Sequence, residues 1–445
     1  MKHLEHPPSL KELLRGNSER ILELAVDDAI NKIVNQVNDS YYYWDKVKYI
    51  KLPESIKPEE VWLIAKLRRR ATPFRIDFGK FNFSWVLNGK TQELLHLFDL
   101  NIGGSLESRS IIPKDEKNRY LISSIMEEAI ASSQIEGAVT TRKHAKEMLR
   151  RNTNPRNKSE QMILNNYLTI QRILELKDED LTEERLLEIH RLVSRSTLDH
   201  KDEEGSFRDN NDIKVVDATD GEVVHYPPDH NEIKNLIKEL CVFFNSDNKD
   251  LFIHPIIKGC IIHFMIGFIH PFSDGNGRTA RALFYWYLLK KGYWLTEYLS
   301  ISRLILRSKD QYAKAYQYTE TDDNDLTYFI MYKLRTMKLA YESLREYIQR
   351  KIEEKHKVSE FIKLENVNER QALILKWFYE EPSLLLTVKE VETRFAVSNQ
   401  TARTDLLSLV ELKYIDMIQL NKKAVAFKAA KNFEVVLKEK LIANL

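Results

Sequence analysis

Cysteine is nearly missing from this chain. Cys241 and Cys260 are the only two in 445 residues, too few for a disulfide framework, and no Cys-x-x-Cys pair offers a metal site. They read as small buried hydrophobes in a reducing compartment. Glycine and proline are scarce as well, 13 and 12, which disfavours a turn-rich β architecture and points to helices. Long hydrophobic runs are lacking. The longest, Cys260 to Ile269, contains His263 and falls far short of the ~18–20 residues that cross a bilayer. The opening MKHLEHPPSLKELLRGN has no apolar signal core. The expectation is a cytoplasmic protein with no membrane partner. Charge of one sign is absent too, since 68 Lys+Arg against 66 Asp+Glu leave a formal +2. That excludes a wholesale nucleic-acid coat and leaves room for a local basic face. What is present, 43% hydrophobic and 30% charged residues, describes a soluble globular protein. At ~100–200 residues per domain the length allows two to four.

The first 115 residues mix short helical patterns with aromatic segments such as Tyr41-Tyr42-Tyr43-Trp44. The basic run Lys66, Arg68, Arg69, Arg70 reads as a solvated helix face. From about 116 to 345 successive amphipathic helices are expected. Leu121–Ile135 carries apolar residues at 122, 125, 126, 129 and 130, a one-sided helical stripe, with Gly137 as its left-handed stop. Leu181–Val193 opens on Thr182, a cap candidate. One segment breaks the rhythm. Ile213–Val216 and Val223–Tyr226 flank Thr219-Asp220-Gly221, a hairpin signal. Its free edge either clamps an extended peptide or is simply a loop. Residues 346–370 read as a charged helical connector. Over 371–445, Leu386–Val391 opens a helix, Ala396-Val397-Ser398 makes a turn and Asn399–Leu412 forms a second helix. Tyr414–Leu420 and Ala424–Lys428 then read as strands. That order resembles a winged helix-turn-helix domain. The fold class expected is therefore mainly α, with a β-hairpin flap and a small C-terminal winged-helix-like domain.

The densest chemistry is His270-Pro271-Phe272-Ser273-Asp274-Gly275-Asn276-Gly277-Arg278-Thr279-Ala280-Arg281. It reads as a helix end, a Gly-rich loop and a new helix from Thr279. Gly275 and Gly277 let the main chain approach a ligand, and the free N–H groups of the new helix make an anion site suited to phosphate. Asp274 is a hard oxygen ligand for Mg²⁺. Arg278 and Arg281, three apart on one helical face, can fork onto phosphate oxygens, and Asn276 can donate to another. His270 suits a general base near neutral pH.

HPFSDGNGRTAR resembles the signature loop of the Fic (filamentation-induced-by-cAMP) proteins, His-x-Phe-x-Asp/Glu-Gly-Asn-Gly-Arg-x-x-Arg, with every defining position filled. His254-Pro255, His263-Phe264, Gly205-Ser206-Phe207-Arg208 and His225-Tyr226-Pro227-Pro228 extend the likeness, which covers 120–345 well and 1–115 loosely. The resemblance implies a Fic-type core at 116–345, preceded by a Fic-associated region at 1–115. It implies a protein adenylyltransferase that moves AMP from ATP, with Mg²⁺, to a Ser, Thr or Tyr hydroxyl of a target protein or of itself. In that reading His270 is the base and Asp274 the metal ligand. Gly275, Asn276 and Gly277 line the anion hole, Arg278 and Arg281 hold the β/γ-phosphates, and Phe272 anchors the loop. The hairpin is then the flap that registers the target segment. Tyr312 falls where the family contacts adenosine, though Ala313 follows where a second tyrosine is common, and Ala280 stands where glycine is frequent.

Ser132-Ser133-Gln134-Ile135-Glu136-Gly137 resembles the family's inhibitory helix motif, placed here at about 121–137. Ser132 and Glu136 are i and i+4 on one face. The resemblance implies that Glu136 pairs with Arg281 and occupies γ-phosphate space. Over 371–445 the charge is modest, 11 Lys+Arg against 9 Asp+Glu. Asn399, Gln400 and Arg403 with wing-tip Lys422-Lys423 either contact DNA or serve protein interaction. The alternative function is a DNA-binding regulator whose core senses nucleotide, or a Fic enzyme that removes AMP or transfers another phosphate group. Family cores of this type often self-associate, so a homodimer is expected.

Overall fold

The computed structural model describes residues 4–15, 18–103, 117–217, 221–246, 251–362, 364, 366–381, 383–419, 425–433 and 435. The chain divides into two units, Met1–Leu344 and Arg345–Leu445. The first 115 residues and the helices that follow them thus share one unit. Among the described residues no helix is long and apolar enough to cross a membrane.

In the first unit, helix α1 (Asp28–Ser40) is capped by Asp27, whose carboxylate accepts from the Ala29 and Ile30 N–H groups. It buries Ile30, Val34 and Val37, one stripe. Helix α2 (Pro58–Arg69) starts on a proline, whose missing N–H costs nothing there. Val61 to Ala65 are buried against Tyr41, Tyr43, Trp44 and Tyr328. The expected solvated basic face is only half present. Lys66 and Arg69 are buried, Lys66 on Asp322 at 2.6 Å and Arg69 on Asn38 and Tyr328, while Arg68 and Arg70 remain exposed. Aspartates more than 250 residues away make that burial affordable. Strands β1 (Phe74–Phe78) and β2 (Phe81–Trp85) form an antiparallel hairpin.

The bundle that positions the site begins with α3 (Lys117–Ile135), ended by Gly137 at φ +92. Next come α4 (Lys158–Leu176) and α5 (Glu183–Ser194), the latter capped by Thr182 accepting from the Arg185 N–H. Strands β3 (Val215–Val216) and β4 (Val223–His225) make a short antiparallel hairpin. Of its expected turn, Thr219 and Asp220 lie outside the described residues. Helix α6 (Pro255–Ile269) is apolar on nearly every side and is therefore central. It packs on α7 (Asn276–Lys290), while α3 packs on α4 and on α8 (Ile301–Arg307). Helices α9 (Lys309–Thr321) and α10 (Thr327–Ile362) follow. The helix expected from Thr279 starts three residues earlier, at Asn276, because Gly275 at φ +81 turns the chain directly into it.

The second unit orders α11 (Glu369–Glu380), α12 (Val388–Phe395), α13 (Asn399–Glu411), β5 (Ile415–Gln419) and β6 (Val425–Ala429). Capping boxes at Asn368/Gln371 and Thr387/Glu390 start the first two helices. Leu386, expected inside a helix, instead bridges to Phe427 of β6 and ties the hairpin to the helices. Phe378, Leu386, Val391, Leu406, Leu409 and Phe427 form the core. Lys422-Lys423 lie outside the described residues.

Candidate active site

The loop between α6 and α7 is held open by its own side chains. His270 ends α6 in the left-handed conformation, φ 48. The Asn276 side chain accepts from the Phe272 N–H at 3.0 Å and donates to the Phe272 carbonyl at 2.8 Å. The tight turn thus uses the amide oxygen and one of its two N–H donors. The N–H groups of Asn276, Gly277 and Arg278 open α7 with no carbonyl four residues back inside the helix. Phe272 is fully buried and lies flat on the His190 ring at 3.7 Å, interplanar angle 2°.

His190, on α5, was not singled out by any motif. Its Nδ1 accepts from the Gly205 N–H at 3.0 Å, so Nε2 carries the proton and donates to the Asp274 carbonyl at 2.9 Å. Burial pushes its pKa down to about 4. A neutral imidazole thus pins the loop from 84 residues away. His270 has the complementary arrangement. Its Nδ1 lies 3.2 Å from the Gly267 carbonyl, an acceptor only, so Nδ1 is protonated and Nε2 keeps its lone pair. Burial lowers its pKa to about 4 as well.

The two arginines do not share a task. Arg278 is buried and sends Nη1 to the Val193 carbonyl at 3.0 Å, capping the C-terminal end of α5. Its Nη2 touches Asp274 at 3.5 Å. Arg278 thus shares the Val193 carbonyl with the Asn165 side chain, which donates to it at 3.2 Å. Arg281 points the other way. Its Nε donates to Ser132 Oγ at 2.8 Å, and its Nη2 to the Ser132 carbonyl at 3.0 Å and to Glu136 at 2.8 Å. Burial opposes the Arg281 charge, and Glu136, Tyr312 and Glu128 together more than offset it. Arg278 Nε and Arg281 Nη1 are buried without a hydrogen-bond partner. The Glu136 carboxylate also lies directly on Gly277, where any Cβ would fall well inside contact distance of its Oε1. A carboxylate thus sits at the N-terminus of α7, where the helix end favours negative charge.

Helix α3, which delivers Glu136, is anchored at further points. Buried Glu128, eight residues back on the same face, accepts from the Ser302 N–H at 2.9 Å and from the Ser302 hydroxyl at the start of α8. Lys309 donates to the Gln134 and Ile135 carbonyls at the other end.

Asp274 is the least buried of the loop's charged groups, its side chain 55% exposed. Among the described residues no three His, Cys, Asp or Glu converge on a metal site. One open carboxylate beside an anion cradle still suits Mg²⁺, which commonly takes one or two carboxylates and completes its shell with phosphate and water. Tyr312 hydrogen-bonds His263 at 2.8 Å and packs near Tyr316 and Tyr332. The aromatic companions of Tyr312 thus come from one turn on and from α10, not from position 313. Arg208 joins the flap to the loop. Its Nε donates to the His270 carbonyl at 2.9 Å, Nη1 to the Asn210 carbonyl at 2.7 Å and Nη2 to the Pro228 carbonyl at 2.5 Å.

Fold and site together define a helical domain whose anion cradle is filled by a carboxylate of the same chain. Residues 180–288 match the model of the Fic/DOC family. A protein adenylyltransferase Fic from Aedes aegypti is 36% identical over 119 residues, 26% of this chain and 21% of that protein. One of the same name from Nematostella vectensis is 28% identical over 159 residues, 36% of this chain and 33% of that one. The chain thus spans a fifth to a third of the length of these curated relatives. The crystal structure of a Fic family protein from Desulfovibrio desulfuricans G20 superposes with a TM-score of 0.50 at 19% identity. It covers 78% of this chain and 97% of that one, a likeness of fold.

Proposed function

We propose that this protein transfers AMP from ATP to a hydroxyl of a protein target and restrains itself through Glu136. The observation that carries the reading is the unmet Nη1 of buried Arg281 beside the Glu136 carboxylate. A buried donor without a partner costs about 1–3 kcal/mol, and a phosphate oxygen would supply the missing acceptor. Glu136 holds the place of that oxygen. Its departure frees Arg281 and the N–H groups of Gly277 and Arg278 for the triphosphate. His270 Nε2 then accepts the proton of the target hydroxyl as its oxygen attacks the α-phosphorus. The new O–P bond forms, the bond to the β-phosphate bridge breaks, and pyrophosphate leaves with its charge neutralised. Asp274 would hold Mg²⁺, which supplies charge neutralisation at the phosphates. The flap aligns the target segment by backbone pairing. In the C-terminal unit, the exposed face of α13 with Asn399, Gln400 and Arg403 supports a winged-helix contact to duplex DNA.

Mass spectrometry after incubation with ATP and Mg²⁺ tests the transfer. Glu136→Gly is expected to acquire an AMP adduct on itself or on lysate proteins, wild type far less, and His270→Ala none. No adduct with any of the three, across a lysate, overturns the reading.

A further inference from the structure

The flap is held at a second place that no motif marks. On α9, Tyr312, Tyr316 and Glu320 stand at i, i+4 and i+8, one face of the helix. They meet α6 in order. Tyr312 bonds His263 at 2.8 Å. Tyr316 lies over Gly267 so closely that a Cβ there would be 2.6 Å from its hydroxyl oxygen. Glu320 completes the series through the flap, its Oε2 lying 2.6 Å from Nδ1 of His225, the last residue of β4. The other nitrogen of that ring, Nε2, lies 2.7 Å from the Phe268 carbonyl of α6, and the ring packs on Phe268 at 5.4 Å. His225 is buried, and it also pairs with Val215 across the hairpin. Arg208 secures the base of the flap, whereas His225 secures the strand itself, between the helix that ends in His270 and the helix that carries Tyr312.

We propose that His225 and Glu320 form a latch that positions the flap, and that α9 links the occupancy of the nucleotide site to that position. Tyr312 and Glu320 share one rigid helix, so a nucleotide that settles against the Tyr312 end moves or steadies the Glu320 end. The pair acts on the acceptor segment and not on the phosphates. It is a positioning pair, and its role in catalysis rests on the transfer reading above.

Two measurements on the full chain test it. The first needs no activity: backbone amide exchange across Val223–Tyr226. His225→Ala and Glu320→Ala are expected to speed exchange there about tenfold, the loss of one charge-assisted hydrogen bond, and Glu320→Gln, which keeps an acceptor, to restore most of it. A nonhydrolysable ATP analogue should slow the same amides in the parent and not in Glu320→Ala. Unchanged exchange in both alanine variants overturns the latch, and an equal response to the analogue with and without Glu320 overturns the linkage. The second measurement uses the Glu136→Gly background, with the full-length His270→Ala chain as acceptor and labelled ATP as donor. Either alanine is expected to raise the KM for the acceptor about tenfold and to leave the KM for ATP within about threefold. A fall in kcat with the acceptor KM unchanged overturns the positioning role. If the Glu136→Gly parent labels nothing, the transfer reading fails, and the exchange experiment alone decides the latch.

Discussion

Arg69 and Arg281 are both buried guanidinium groups on helices, and the contrast between them separates a structural network from a site. Arg69 sends Nε to Asn38 at 2.8 Å, Nη1 to Tyr328 at 2.9 Å and Nη2 to the Tyr42 carbonyl at 3.0 Å, over the face of Tyr41. None of its nitrogens is left without a partner, and its acceptors are the main chain, buried Tyr328 and half-buried Asn38. Arg281 keeps one nitrogen unmet. Its anionic partner is Glu136, 29% exposed at a helix end. Burial and charge are alike in the two places. What differs is an unmet N–H next to a part-exposed carboxylate.

Stability should separate the two arginines most strongly. Arg69→Ala takes the donor from the Asn38 side chain and the Tyr42 carbonyl and empties the space over Tyr41, and is expected to cost about 2–4 kcal/mol in urea unfolding. Arg281→Ala should cost less than half as much, since Glu136 can turn to water. Equal losses would erase the distinction. The pH dependence comes next. His190 and His270 are both lowered to about 4 from an unfolded value near 6.5. The unfolded chain therefore binds protons that the fold refuses. Stability is complete above about pH 6.5 and declines as pH falls toward 4, by up to about 3 kcal/mol for fully buried His190. The Arg69 network contains no histidine, so Arg69→Ala should keep this slope and His190→Gln should flatten it. The same depressed pKa predicts that kcat/KM of the Glu136→Gly enzyme holds steady down to about pH 5.

Smaller effects sharpen the picture further. Glu136→Gly should tighten ATP binding about ten- to hundredfold, the equivalent of ~1.5–3 kcal/mol for one charge-assisted hydrogen bond, as read by calorimetry. An unchanged affinity would mean that Glu136 does not contest the cradle. Last, Gly277→Ala should destabilise the wild type and lose about 1 kcal/mol of that cost in the Glu136→Gly background. Strict additivity would show that the carboxylate does not rest on Gly277.

Local chemistry was the legible part of this chain. The Leu121–Ile135 stripe, the Thr182 cap, the loop's glycines and the Ser132/Glu136 spacing all depend on neighbours within a turn or two. So does the mainly helical character with one flap hairpin. What was not legible shares a cause. Asn276 also serves Phe272 four residues away. Arg278 and Arg281, three apart on one helix, meet Val193 and Ser132 on different helices. Lys66 looked solvated until Asp322 arrived from 256 residues along the chain.

By itself, then, the sequence determined which residues could do phosphate chemistry, because spacing on a helix and conformational freedom in a loop are local properties. Tertiary structure alone decided which of them remain unspent. His190 holds the loop, Asn276 and Arg278 brace it, Arg278 and Arg281 each keep one N–H unmet, and His225 meets Glu320 across 95 residues. A side chain's hydrogen bonds are allotted by whatever the fold brings within about 3 Å, and no reading of adjacent residues reveals that allotment.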